Sequence, residues 1–321
     1  MIQSVAIKNF VGEELTLRLT DPEPYSGLII SKITGLGPAK ANINITDIST
    51  TDGGIYNSAR LEKRNIVMDL LFAFPEGSNL IEDARLFTYK FFPVKKPLSL
   101  VIETDRRIVA TTGYVESNEP NIFDKHSGTS ISIICPDPYF HSFEEEMVTT
   151  FSSLTSDFFF PFYGEVGTYA DHTTPHTDAK YYLGYFGTLN DSITKEVYYT
   201  GDSEIGMRIK IHATGPASNP SIHNLDTQEF MSIDTSKLAS LVDDGNENLI
   251  AGDDIIISTV RGNKSATLER SGQYYNILNC LDRDVDWLLL YQGVNRFFYE
   301  ADTGSNNLEI SLVNDVIFEG V

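Results

Sequence analysis

The sequence predicts a mainly β fold, and three observations lead there. Aromatic residues make up 11% of the chain and stand among β-branched ones in short runs, a composition that fits a pleated, half-buried surface. The 23 glycines and 13 prolines punctuate those runs at short intervals. A sustained helical period occurs in one window only, residues 79–92. With 321 residues, 41% of them hydrophobic, the chain can bury a sizeable core, and its length favours two domains.

Taken in order, the first strong element is Glu14 to Thr20. It places Leu15, Leu17 and Leu19 on one face and Thr16 and Arg18 on the other, a half-buried strand. A second strand falls between Tyr25 and Gly37, ending in Gly35-Leu36-Gly37-Pro38. Ala41 to Ile48 sets Ile43 and Ile45 on alternate sites. Asp52-Gly53-Gly54 is a turn that needs positive φ, and Asn65 to Phe72 is the strand beyond it. The helix begins with Asn79 as N-cap and Glu82 completing a capping box. Leu80, Ala84, Phe87 and Phe91 then form one apolar stripe, Pro93 ends it, and the stripe should pack on a sheet. Leu98 to Thr104 and Arg107 to Tyr114 predict a hairpin turning at Asp105-Arg106. Gly113-Tyr114-Val115 reads as a strand end, Ser117 to Pro120 as a turn, and Thr129 to Cys135 as the next strand. Pro136-Asp137-Pro138 stops that strand, because proline supplies no ladder donor.

Residues 141–200 are dominated by aromatic clusters, Phe158 to Phe162 and Tyr181 to Phe186, around a polar surface loop from Tyr169 to Lys180. Beyond Tyr198 the strand pattern returns. Met207, Ile209 and Ile211 alternate with Arg208, Lys210 and His212. Short strands follow at 221–225, 229–233, 254–259, 266–268, 287–290, 295–300, 307–313 and 316–318, with a helical turn or short strand at 276–281. Many short strands without βαβ alternation or an internal repeat point to a β-sandwich of jelly-roll type.

Several of these segments carry a resemblance. "GYVESNEPNIF" at 113–123, "ISIICPDPYF" at 131–140 and the "DG…YNS.R…RNI" series from Asp52 to Ile66 resemble bacteriophage distal tail proteins. So do "GD.E.G" from Gly201, "GPASNP" from Gly215, "NILNCLD…DW" from Asn276 and the final "FEGV". The resemblance spans the chain except about residues 165–195. It implies a β-sandwich-like, ring-forming domain with one helix over 1–138 and a galectin-like β-sandwich over 139–321.

Charge is lopsided. Residues 1–140 hold 14 Lys and Arg against 17 Asp and Glu, net −3, so −18 of the total −21 falls in 141–321. The second half should repel nucleic acid, whose affinity comes from Lys and Arg. Lys90, Lys95 and Lys96, with Arg106 and Arg107, are either a solvated face or a subunit contact. Cys135 and Cys280 lack metal-type spacing and read as buried free thiols. No apolar run is long enough for a signal sequence or a membrane span.

Candidate chemistry is sparse. His172 and His176, beside Asp171 and Asp178, have metal-type helical spacing, but Thr173, Thr174 and Pro175 oppose a helix, and an exposed loop is favoured. Asp282, Asp284 and Asp286 open like a calcium loop, yet Trp287 and Gly293 stand where Gly and Glu are needed, so a polar turn is expected. Asp243-Asp244-Gly245-Asn246 reads as an acidic turn before it reads as a cation site. No G-x-S-x-G elbow and no phosphate loop is present. Trp287 lies in an apolar run and reads as core, with sugar stacking as the rival.

No catalytic, cofactor-binding or metal-binding residue is therefore assigned. The resemblance implies a structural subunit of a tail tip or baseplate, a hexameric ring of copies of itself. Its partners would be the tail tube protein, a tail-associated hub or fibre protein and a receptor-binding protein. It would be assembled in the bacterial cytoplasm into the virion tail, with no direct nucleic-acid binding and no membrane insertion. A carbohydrate-binding module contacting the host surface and a cell-wall-degrading enzyme are the alternatives.

Overall fold

Antiparallel strands make up most of the protein, as the β-branched and aromatic runs require. The computed structural model describes residues 2–18, 27–49, 52–72, 80–121, 127–143, 147–155, 188–191 and 194–321. The chain divides into two units. The first comprises Met1–Met147, Thr200–Ile205 and Asp315–Val321, and the second Val148–Tyr199 and Gly206–Asn314. No helix among the described residues is long and apolar enough to cross a membrane.

The first unit contains β1 (Ile2–Lys8), β2 (Glu14–Arg18), β3 (Leu28–Thr34), β4 (Ala41–Asp47), β5 (Gly54–Leu61), β6 (Arg64–Phe72), α1 (Leu80–Phe91), β7 (Pro97–Thr104), β8 (Ile108–Asn121), β9 (Gly128–Cys135) and β10 (Phe140–Ser142). Its main sheet runs β2-β1-β7-β8-β9-β6-β3. Alternation puts Ile66, Met68 and Leu70 of β6 beside Ile131 and Ile133 of β9 in the core. The β7–β8 hairpin turns where expected, Glu103 pairing with Ile108 across Asp105-Arg106.

Two expectations in this unit are corrected. β8 does not end at Val115. After a bulge at Glu116, Ser117 to Asn121 continue the ladder opposite Ser132 to Gly128. Pro120 is tolerated there because it lies at the far end of the hairpin, where a missing donor costs little. The helix stripe is also rotated. Ala84, Thr88 and Phe91 are buried, whereas Leu80 and Phe87 are 44% and 42% exposed. Thr88 takes the core position because its hydroxyl is satisfied within the helix, donating to the Arg85 carbonyl at 2.8 Å. Ala84 and Phe91 do pack on the sheet's core, and Arg85 pairs with Glu82 on the outer side. The capping residue Asn79 lies outside the described residues.

The rest of the chain supplies β11 (Met147–Thr150), β12 (Ser152–Thr155), β13 (Thr188–Asp191), β14 (Thr194–Tyr199), β15 (Ile205–Gly206), β16 (Arg208–Ala213), β17 (Ser218–Asn224), β18 (Phe230–Ser232), β19 (Asp254–Ser258), β20 (Ser265–Arg270), β21 (Gln273–Asn276), β22 (Leu289–Leu290), β23 (Gly293–Thr303), β24 (Leu308–Asn314) and β25 (Ile317–Phe318). A sheet ordered β11-β24-β16-β19-β20-β21 and another ordered β14-β23-β17-β18 build the second unit. Both present alternate buried residues, such as Ile209 and Ile211 from β16 and Phe297 and Tyr299 from β23. Phe151 meets Tyr299 edge to face at 5.8 Å between the two sheets. The segment 276–281 resolves into the end of β21 and a single 3-10 turn, Leu278–Cys280. β25 belongs to the first unit, where it pairs with β10.

Candidate assembly surfaces

One group of exposed apolar side chains in the first unit lies on a hairpin. Among the described residues β4 and β5 pair only with each other, forming a two-stranded sheet whose residues are exposed along almost its whole length. Register places Ile43 opposite Ala59 and Ile45 opposite Tyr56, with a bulge after Asn44. Ile43, Ile45 and Tyr56 therefore share one face, and they are 56%, 55% and 62% exposed. Gly53 supplies the turn's positive φ of 91°. An isolated hairpin is marginal in water, and three large apolar side chains on one side of it are a surface awaiting cover. The "DG…YNS.R" series that carried the family resemblance is this arm. A second exposed apolar surface is the outer side of α1, with Leu86, Phe87 and Tyr89.

Arg64 fixes the base of this unit. Its side chain is buried, and all five N–H donors are used. Nε and Nη2 reach the Pro138 carbonyl at 2.8 and 2.6 Å, Nη1 the Gly35 and Gly37 carbonyls at 2.7 and 2.5 Å, and Nη2 the Glu319 carbonyl at 2.6 Å. The guanidinium also lies 4.2 Å over the Phe140 ring. Burial holds its pKa below the ordinary value against the opposing pull of Cys135 and Asp137. Gly35 is required beside it: φ is 84°, and a Cβ there would lie 1.9 Å from the Asn65 carbonyl oxygen.

His141 makes a second tie. Nε2 contacts Asp137 Oδ2 at 2.9 Å and Nδ1 contacts Asp315 Oδ2 at 2.5 Å. Hydrogen bonds to Asp137 and then Asp315 raise the imidazole pKa to about 10. Burial works to raise Asp137, but its bonds from His141 and the Tyr139 N–H outweigh that and leave it below the usual carboxylate range. A raised histidine stabilises fully below its unfolded pKa near 6.5, and the contribution drains away as pH climbs to about 10. Because the imidazole is 38% exposed, screening reduces the effect to about 1–2 kcal/mol. Thermal melts of the first unit should fall between pH 6.5 and 10, and His141→Gln should flatten that slope. Parallel slopes in both proteins would refute the assignment.

The remaining candidate residues have structural places. Cys135 and Cys280 are free and buried, and burial pushes both thiols up. Lys96 lies 5.4 Å over Phe10, and Arg107 4.5 Å over Phe318. Asp244 accepts from the Asn246 N–H and from Arg270, so the 243–246 turn is a structural corner. Asp282 binds the Ser232 hydroxyl and Asp286 donates its N–H to Phe230. Trp287 is not core: it is half-buried, with Lys264 4.7 Å over its ring, while the neighbouring Leu288 takes the buried site. Among the described residues no group of three or more His, Cys, Asp or Glu is placed to hold a metal. His172, His176, Asp171 and Asp178 lie outside the described residues, as do the aromatic clusters at 158–162 and 181–186.

No family model and no curated protein matches the sequence. Solved structures do. The hub protein SPP1 Dit, described as a paradigm of the hub adsorption apparatus in phages infecting Gram-positive bacteria, aligns over 97% of this chain and 98% of its own. The TM-score is 0.59 and the identity 13%. Chains from the phage P2 baseplate in its activated conformation, with Ca and with Sr, align over 100% and 97% of this chain, with TM-scores of 0.44 and 0.41 and identities of 13% and 12%. The chain thus shares the fold of SPP1 Dit along nearly its whole length.

Proposed function

We propose that this protein is a structural, non-enzymatic subunit of a phage tail tip or baseplate, and that copies of it close into a ring, as a hexamer. The ring would join the tail tube to a hub or fibre protein, and the second unit, a galectin-like sandwich, would scaffold receptor-binding proteins. The observation that carries this is the β4–β5 arm, whose apolar face no described residue of its own unit covers. Fold likeness to SPP1 Dit supports the same reading. A closed ring needs a head-to-tail contact between two unlike surfaces. The arm and the exposed side of α1 are two such surfaces.

Light scattering on the pure chain tests this. The expected mass is six times the 35.8 kDa of one chain. Burying Ile45 and Tyr56 in each contact would contribute about 1.5–3 kcal/mol per side chain. Ile45→Ser with Tyr56→Ser should therefore weaken assembly by roughly a hundredfold or more while the monomer's melting temperature stays put. A wild-type chain that remains monomeric at high concentration, alone and with a tube or hub partner, defeats the ring. Hydrolysis of peptidoglycan by the pure protein would move it to the enzymes.

A further inference from the structure

The outer face of the β14-β23-β17-β18 sheet carries a second kind of surface. Register sets Thr194, Phe298, His223 and Phe230 in one row across four strands. The His223 ring stacks on Phe230 at 5.8 Å and 21° and is tilted against Phe298 at 5.9 Å and 46°, a contiguous aromatic row. Polar rows flank it. On one side stand Glu300, Ser221 and Ser232, with His223 Nε2 3.0 Å from Ser221 Oγ and 3.4 Å from Glu300 Oε1. On the other side Arg296 grips Asp226 through Nε at 2.9 Å and Nη2 at 2.5 Å. A depression of about 500 Å³ opens here, lined by His223, Leu225, Gln228, Glu229, Phe298 and Glu300.

We propose that this depression is a binding site for a neutral hexopyranose. A pyranose has an apolar C–H face and a rim of hydroxyls, and the aromatic row bordered by carboxylate, hydroxyl and imidazole groups has the matching pattern. One ring is about as wide as a strand spacing of ~5 Å, so it covers the Phe298–His223 pair while its rim reaches Glu300. Charge selects against anions: Glu229 and Glu300 are uncompensated by Arg296, which is committed to Asp226. A peptide added by strand pairing does not fit over the Phe298–His223 pair, because those residues stand on the interior strands β23 and β17, each already paired on both sides.

The loop closing the depression holds conformational liabilities that packing alone does not call for. Gln228 has φ of 61°, a left-handed conformation that is strained for a non-glycine residue. It is held by Gln228 N–H donating to the Asn224 carbonyl, while Asn224 Oδ1 accepts from the N–H groups of Asp226 and Thr227. Asn224 is 1% exposed, and among the described residues its Nδ2 has no hydrogen-bond partner. Strain in the loop and an orphan donor at the end of the strand that leads into it are what a site kept for binding tolerates.

The full chain should be tested on a printed array of neutral glycans, and by saturation-transfer NMR and calorimetry with lactose, cellobiose and N,N′-diacetylchitobiose. The expected result is millimolar binding of at least one neutral glycan. His223→Ala and Phe298→Ala should each weaken it on the order of tenfold or more, and Glu300→Gln several-fold. Tyr198→Ala, outside the aromatic row on the same sheet face, should leave affinity unchanged. Melting temperatures verify that each variant folds, and the saturation pattern should mark the sugar's C–H face. Three results overturn the site: no neutral glycan bound by any method, binding confined to anionic glycans, or affinity indifferent to His223→Ala and Phe298→Ala in folded protein. None depends on the oligomeric state, so failure here leaves the ring untouched, and the reverse.

Discussion

Replacing Arg64 with methionine should destabilise the first unit by about 4 kcal/mol, enough to lower its melting temperature by roughly 10 °C. The side chain's volume is nearly kept, so the cost is not a cavity. It comes from four backbone carbonyls, at Gly35, Gly37, Pro138 and Glu319, losing a charged donor in a buried place. Those carbonyls belong to three separate stretches of chain, and each was positioned by the planar fork of one guanidinium. Arg64→Lys keeps the charge but offers three donors from a single point where five diverge, so it should recover no more than about half of the loss. Urea unfolding of the three proteins decides this. If lysine matches arginine, the fork geometry is irrelevant and charge alone matters; if methionine costs under ~1 kcal/mol, Arg64 is not a keystone.

That role could not be read from the sequence, for a physical reason. Arg64 bonds to backbone carbonyls, which leave no side-chain signature, and one of them is 255 residues away. What was legible depended on local rules. The hairpin at Asp105-Arg106 declares itself because both flanking runs alternate and the turn is polar. The same alternation misleads in β4 and β5, where Ile43 and Ile45 stand on one face as they would in a core strand, yet among the described residues both stay more than half exposed. Periodicity reports that a face is apolar; it is silent about what covers it. In α1 the helical period places Ala84 and Phe91 correctly but not Leu80 and Phe87, since a threonine that satisfies its own hydroxyl, Thr88, competes with phenylalanine for the buried side. Pro120 reads as a stop in isolation and sits in a ladder because the sheet ends nearby. The saccharide site has no spacing motif at all: His223 and Phe298 meet through strand register across 75 positions. Trp287, the aromatic that composition singles out, is not among the residues lining the depression.

The second unit has its own buried cation, and here the partner is an anion, which changes the expected energetics. Arg270 and Asp253 are only 4% and 2% exposed. Arg270 Nε lies 3.0 and 3.2 Å from the two Asp253 oxygens, and Nη2 bonds Oδ2 at 2.6 Å and the Asn248 carbonyl at 2.8 Å. Asp253 Oδ2 also accepts from the Ile250 N–H, so the pair fastens the 244–253 loop to β20. Burial works to lower the arginine's pKa, and the bonds and charge of Asp253, with those of Asp244, raise it above the ordinary value. Arg270→Met strands a buried carboxylate and should cost about 3–5 kcal/mol, whereas Asp253→Ala leaves the buried guanidinium with Asp244 as its carboxylate partner and should cost about 1.5–3 kcal/mol. Removing both charges together should cost far less than the sum, because the desolvation penalty of each disappears with its partner. Chemical denaturation of the two single variants and the double variant should return a coupling of about 2 kcal/mol or more. Additive losses would mean that the two charges are solvated independently, and that the loop is held by its backbone bonds instead.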